Sequence, residues 1–421
     1  MRKILDKTFI LLLISLLLCP FLFSFGRAEI DSREALRALY AEKTGLFSGE
    51  IYLETPNVQG EYRAGALTRE ALEAALGEVN FVRALAGVGE VSLRDDLNEL
   101  CQYGAVLLAA NGALSHAPEQ PQDMDDAFYA QGQSAAAQCN LARFNWMESD
   151  ILRLAVQNFA RDEGERNELV LGHRRWLLYP NMQVVGFGLA NGAGGETYAL
   201  MYVMDDAAQA DYDLICWPGE GYFPAEYLTK DTFWSVSPNP DRYDLQGSSV
   251  VVRLEELVSG ACFEFDFSGE CSDCALAGGR YGDGPAYVFR PDLSGAAGIS
   301  NGYEQNQMWQ VTLSGLKAWE GGAEEKVYQV VMASLTPIDP AMVEFDEQEI
   351  TLAEGEARDV SARVVPSWAD DTRLFWSVED ERVASVDQAG RVTALAPGRT
   401  RLIARAVNGR EDSIPLVVRA G

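Results

Sequence analysis

LGHRRWLLYPNMQVVGFG, residues 171–188, sets a histidine, two arginines, an aromatic–aliphatic run and a Gly-Phe-Gly segment side by side. His173 in this stretch is one of only two histidines in the 421-residue chain; the other, His116, closes NGALSH, residues 111–116. Imidazole titrates near neutral pH and is the commonest metal ligand, so polar chemistry recruits it often. Downstream, Val184–Leu189 and Thr197–Met204 read as two strands joined by a glycine-rich turn at Asn191–Gly195. Gly186-Phe187-Gly188 is too short for a dinucleotide fingerprint, and no G-x-S-x-G elbow, Walker loop or H-E-x-x-H is present.

Upstream, the pattern is helical. Thr68 is placed to cap a helix whose apolar positions Leu72, Ala75, Leu76, Val79 and Val82 follow the 3.6-residue period. Ser92-Leu93-Arg94-Asp95 reads as a capping box before a stripe of Leu97, Leu100, Cys101, Gly104, Leu107 and Leu108. Asn111-Gly112 ends that helix, which leaves His116 in the loop beyond it. Ser149 is expected to cap a third helix with Leu152, Ala155, Val156 and Phe159 inward, broken at Gly164. Asp162 lies three residues after Phe159, along that inward face, where an acid must be paired or protonated.

An N-x-x-R-A helix (Asn80, Arg83, Ala84), AANGALSH, NLA (Asn140–Ala142), LGHRRWLLYP and VVGFG follow one another in this order. The segment from Leu67 to Asp205 thereby resembles a CAP domain, of the cysteine-rich secretory, antigen 5 and pathogenesis-related-1 superfamily. The resemblance implies an α+β fold, an α-β-α sandwich. It also implies one cleft lined by two histidines and two carboxylates, where some members bind a divalent metal. On that basis His116 and His173 share a cleft. The first carboxylate is expected before an N-[IL]-A run, where this chain has Cys139; Gln133 is a poorer match and also not acidic. The second belongs to the helix before the GH pair, with Asp162 first choice, then Glu163 and Glu148. The candidate catalytic set is His116, Asp162 and His173, and the candidate metal donors are His116, His173 and a Cys139 thiolate. Alternatively Cys139 is disulfide-bonded to Cys101, which sits roughly 20 Å by helix rise from His116, so Cys139 cannot serve both places. Two imidazoles are too few for a structural zinc site. No cofactor is required, and the donors suit at most a weakly bound divalent metal such as Zn²⁺.

The arginines of the GHRR run are expected to pair with acids of the chain, and Trp176, Leu177 and Leu178 to be core. The reading that follows is binding of an extracellular partner through the His116/His173 cleft without turnover. That partner would be a small apolar molecule, a glycan or a surface protein. The alternatives are a metal-assisted hydrolase or protease using both histidines, and an adhesin or structural envelope component.

The remainder of the chain supports an exported, multidomain protein. Residues 1–28 read as a signal peptide: Arg2, Lys3 and Lys7 precede an apolar run from Phe9 to Phe25 and the small residues of Gly26-Arg27-Ala28. The net charge is −29; without residues 1–28, 62 acids face 30 bases and it becomes −32. Such a field repels nucleic acid and anionic lipid, so no nucleic-acid partner is expected. No transmembrane span is expected in the mature chain. Residues 29–65 form an N-terminal extension, 66–205 the CAP domain and 206–337 a β-rich middle domain. In the middle domain CWPGEGYFP, FWSVSPNP and YVFRPD (216–224, 233–240, 287–292) read as sandwich core rather than a carbohydrate platform. Cys271-Ser272-Asp273-Cys274 looks like half a zinc ribbon with no second half, so a local disulfide involving Cys262 is expected. WSVEDERVASVDQAGRVTALAPGRTRLIARA (376–406) resembles a BIG2-type bacterial Ig-like domain, placed at 341–421 as an all-β sandwich. Leu402, Ala404 and Ala406 are expected on one face of its strand.

Overall fold

A computed structural model describes residues 30–421, apart from 46, 165–168, 247, 270, 280, 283 and 295–301; the expected leader lies outside these residues. Six helices precede or interleave the first sheet: α1 (Arg33–Lys43), α2 (Arg69–Leu85), α3 (Asp95–Asn111), α4 (Asp126–Gln138), α5 (Ile151–Arg161) and α6 (Gly172–Leu177). The sheet runs Cys139–Phe144, Thr197–Tyr202, Phe187–Asn191, all antiparallel. Its alternate side chains face two different cores. Ala142, Phe144, Leu189, Ala199 and Met201 pack with α2 and α5, whereas Leu141, Ala190, Tyr198 and Leu200 pack with α3 and α4. Both faces are therefore covered, which is why TYALMY reads as a nearly unbroken apolar run. This is the expected α-β-α sandwich.

Thr68 caps α2 as expected, its hydroxyl accepting from the Ala71 amide. Two other caps differ. Ser92 and Leu93 form a short strand parallel to Val184–Val185, so α3 begins after Arg94 with no side-chain cap. Strand pairing outcompetes the local cap. Ser149 donates instead to the Phe47 carbonyl, and α5 begins after Asp150. α4 is not announced by apolar periodicity, because it packs through small residues. A Cβ on Gly132 would stand 2.9 Å from Leu107, and one on Gly104 would stand 2.7 Å from the Ala135 Cβ.

The motif residues around the sheet turn out to be staples. Asn80 pairs with both polar groups of Val91, donating to its carbonyl and accepting from its amide. Arg83, fully buried, donates to the carbonyls of Gly89, Leu177, Tyr179 and Met182. Burial pushes its pKa down to about 9, still far enough above neutrality to keep it charged. Gly186 and Gly188 lie directly against α3: a Cβ on Gly188 would stand 2.1 Å from the Cys101 carbonyl oxygen. That approach lets Asn98 and Gln102 accept from the amides of Phe187 and Leu189 on the sheet edge.

The β-rich middle is a two-sheet sandwich. One sheet orders Cys274–Ala277, Ala286–Phe289, Trp234–Pro238 and Leu214–Trp217. The other orders Cys262–Asp266, Val251–Glu256, Met308–Lys317, Ala323–Ala333 and Gly221–Pro224. Trp217, Trp234 and Trp309 are fully buried, so these aromatics are core. Cys271 and Cys274 are bonded to each other; the expected partner Cys262 is exposed and outside that bond. Three residues apart, they close the smaller ring. The core of this sandwich is continuous with that of α2 and α5, where Tyr227 meets Phe81 edge-on at 5.6 Å. Beneath that contact the buried Glu78 accepts from Arg153, Gln157 and the Tyr227 hydroxyl. The C-terminal Ig-like sandwich has a core of its own, with Leu402, Ala404 and Ala406 buried as the alternation requires.

Two outcomes follow from these contacts. Arg83→Ala strands several buried carbonyls, each worth about 1–3 kcal/mol when unpaired. Urea unfolding of this variant should show a loss of about 3 kcal/mol or more; a loss below about 1 kcal/mol would show that the carbonyls find other donors. Asp370 of the Ig-like region is gripped by Arg33 and Arg37 of α1 at 2.8 and 2.9 Å. Partial burial disfavours its charge, but the bonds from Arg37 and Arg33 outweigh that and hold the carboxyl at about 2, below its ordinary 3.8. Its stabilisation is thus complete above the ordinary value and fades as pH falls toward 2. Acid titration followed by limited proteolysis should release the α1 contact in that window for the wild type, with Asp370→Asn already released at neutral pH.

Candidate functional site

α5 ends at Arg161, and Asp162 follows as its C-cap with φ +53°, ψ +40°. Aspartate is among the few residues that tolerate this left-handed conformation. The turn sends a nearly fully buried carboxylate toward α6. One oxygen accepts from His173 Nδ1 at 2.8 Å, the other from the Arg174 amide at 3.0 Å. The second bond satisfies one of the amides left open at the start of α6. Asn140 of the NLA run donates to the His173 carbonyl, and the imidazole lies tilted against Phe159 at 5.3 Å between ring centres. Assigning the proton to Nδ1, facing the carboxylate, places the basic lone pair on Nε2.

The imidazole borders a cleft of about 340 Å³. Its lining runs from Leu141, Ala142 and Arg143 of the strand to Asn158, Phe159, Arg161, Asp162 and Glu163 at the end of α5. The middle region holds this rim in place. Arg161 donates to the Glu226 carbonyl, and Glu163 accepts from the hydroxyls of Thr229 and Thr232. Leu171, with φ +50°, is buried among Phe233, Ala277, Ala286 and Val288 of the sandwich. A leucine there is strained, and its buried side chain supplies the restraint.

Both arginines of the GHRR run bind backbone carbonyls. Arg174, fully buried, donates to those of Ala160, Arg161 and Phe233, and its guanidinium lies 5.7 Å from the centre of the Trp217 ring. Burial pushes its pKa down to about 10. Arg175 donates to the carbonyls of Val170, Gly278 and Gly284 and faces the Tyr281 ring. Buried away from water, these guanidinium groups draw on backbone carbonyl oxygens as acceptors.

His116, Cys139, Gln133 and Glu148 are not among the residues that line the His173 cleft. His116, past the left-handed Gly112 that caps α3, is exposed and holds the Ala136 carbonyl through Nδ1 at 2.7 Å. Cys139 points to the opposite face of its strand from Asn140, and its sulfur stands 3.6 Å from that of Cys101. Gln133 bonds Tyr129, and Glu148 is exposed. Among the described residues no three His, Cys, Asp or Glu side chains come together as a metal-binding group. Arg161 was within reach of a sequence reading as the neighbour of Asp162; Thr229, Thr232 and Phe233 had no local signal, being distant in the chain.

Comparison with known proteins finds two domains in the chain. The model of the cysteine-rich secretory protein family, CAP, matches residues 76–205, and that of the bacterial Ig-like domain (group 2) matches residues 340–413. A lacto-N-biosidase of Bifidobacterium bifidum is 33% identical over 69 residues, which are 16% of this chain and 6% of that protein. Domains 4 and 5 of the S-layer protein SbsC overlap 26% of this chain and 64% of theirs, at 14% identity and TM-score 0.19. Extracellular domains 3–5 of Drosophila OTK overlap 50% and 66%, at 12% identity and TM-score 0.24. The chain thus spans only a small part of the first relative and less than two thirds of the SbsC fragment. Among the described residues no helix is long and apolar enough to cross a membrane. The GHRR run, the NLA asparagine and the Asp162–His173 pair thus sit within a CAP domain at residues 76–205, and the chain carries a bacterial Ig-like domain of group 2 at residues 340–413.

Proposed function

We propose that this is an extracellular or surface protein whose CAP cleft holds a small ligand against His173 without turning it over. The observation that carries the reading is the lining of the cleft. It offers one oriented imidazole beside Phe159 and Ala142, and among the described residues no hydroxyl or thiol side chain lines it. A volume of about 340 Å³ suits a small molecule with one hydrogen-bonding group at the imidazole and an apolar part on Phe159. Both domain kinds are typical of extracellular or surface proteins, and the Ig-like domain supplies an arm rather than a site.

A hydrolytic reading rests on the same hydrogen bond. An imidazole steadied by a carboxylate is suited to take a proton from water as a general base. Turnover separates the two readings.

A fragment panel screened by ligand-observed NMR should yield binders whose signals change with wild type and not with His173→Ala. Asp162→Asn keeps a residue that tolerates the left-handed turn but removes the charge-assisted bond, so affinity for those binders should fall about tenfold or more. Binders indifferent to both substitutions would overturn the site. Hydrolysis of ester or amide fragments by wild type, lost in His173→Ala, would put the hydrolase reading first.

A further inference from the structure

The side chains of Cys101 and Cys139 face one another outside the cleft. Their sulfurs are 3.6 Å apart, and the residues are 0% and 3% exposed. Around them lie Ala135, Leu141 and Leu200, all apolar. Neither backbone has room to drift. Cys101 is pressed by Gly188, and Cys139 opens the strand paired with Tyr202. We infer that Cys101 and Cys139 are joined by a disulfide in the exported protein, stapling α3 to the strand that leaves α4.

The inference rests on the chain being exported, since export leads to a compartment where disulfides persist. The step needs an oxidant, and a small-molecule or protein disulfide supplies it. One cysteine thiolate attacks that disulfide, releasing one thiol and forming a mixed disulfide. The second cysteine thiolate then displaces the remaining half as a second thiol. The two cysteines lose two electrons and two protons, and the oxidant is reduced to two thiols. In the closed fold burial pushes the Cys139 thiol well up, with the Cys101 thiol beside it adding to the effect. The thiolate is the nucleophile, so exchange belongs to the open chain, and core closure then seals the bond. The closed loop contains His116, α4 and the Ala136 carbonyl that holds His116. The staple therefore restrains the one histidine-bearing loop that lies outside the His173 cleft.

The test is peptide mapping by mass spectrometry of the full chain refolded with oxidised and reduced glutathione. Remaining thiols are alkylated under denaturing conditions. A Cys101 peptide linked to a Cys139 peptide is expected, two hydrogens lighter than the sum of the separate peptides, with Cys216 and Cys262 alkylated. Both cysteines alkylated in a folded chain overturns the inference. Because the buffer supplies the oxidant, this readout does not depend on where the chain resides. Export is read separately, from the N-terminus of material in the medium. As a second measurement, dithiothreitol should lower the melting midpoint of the oxidised wild type by roughly 5–10 °C. Cys139→Ala should melt near the reduced value and keep only the smaller shift that reduction of Cys271–Cys274 brings. Equal sensitivity in that variant would count against the bond.

Discussion

A guanidinium taken out of water must find acceptors inside, and Arg174 finds them in the carbonyls of Ala160, Arg161 and Phe233. Two of these belong to the end of α5 and one to the β-sandwich. A single charged side chain thereby ties the helix that carries His173 to both neighbours. Asp162 completes the joint from the other side, taking the Arg174 amide and the His173 imidazole on its two oxygens. Leu171 and Arg175 seat the same short helix in the sandwich, through apolar burial and through carbonyls. The cleft borders are in turn anchored by Glu226, Thr229 and Thr232. The middle region is consequently part of the structure that positions the site. The shared core at Phe81 and Tyr227 supports the same view.

Most residues that mark the family serve packing. Asn80 and Arg83 close loops by binding backbone groups, and Asn140 fixes the carbonyl of His173. Gly186 and Gly188 make room for α3. In each case a backbone polar group or a close approach needs one side-chain type, and few substitutes serve. Asp162 and His173 differ, because their hydrogen bond orients an imidazole that borders the cleft. The place where an acid was expected is a cysteine turned toward α3 instead. That change removes a charge from the neighbourhood of the cleft and adds a sulfur pair to the core behind it.

What the sequence by itself determined was local and periodic. The 3.6-residue spacing and the Thr68 cap located α2, and the same spacing put Asp162 on the side of α5 from which it meets His173. A glycine-rich turn between two apolar runs located two strands of the sheet, and alternation in the Ig-like domain buried Leu402, Ala404 and Ala406 together. These features depend on backbone stereochemistry and on neighbours a few residues away. Tertiary structure decided the rest. Ser92 and Ser149 gave up their capping roles to a strand and to a distant carbonyl. α4 lacks a large apolar stripe because it packs by small residues against α3. The acceptors of Arg174 and Arg175, the rim contacts of the cleft, the meeting of Cys101 and Cys139, and the place of His116 at the Ala136 carbonyl all join segments far apart in the chain. Such pairings follow from where close packing leaves a polar group without water, and that is settled only when the layers have come together.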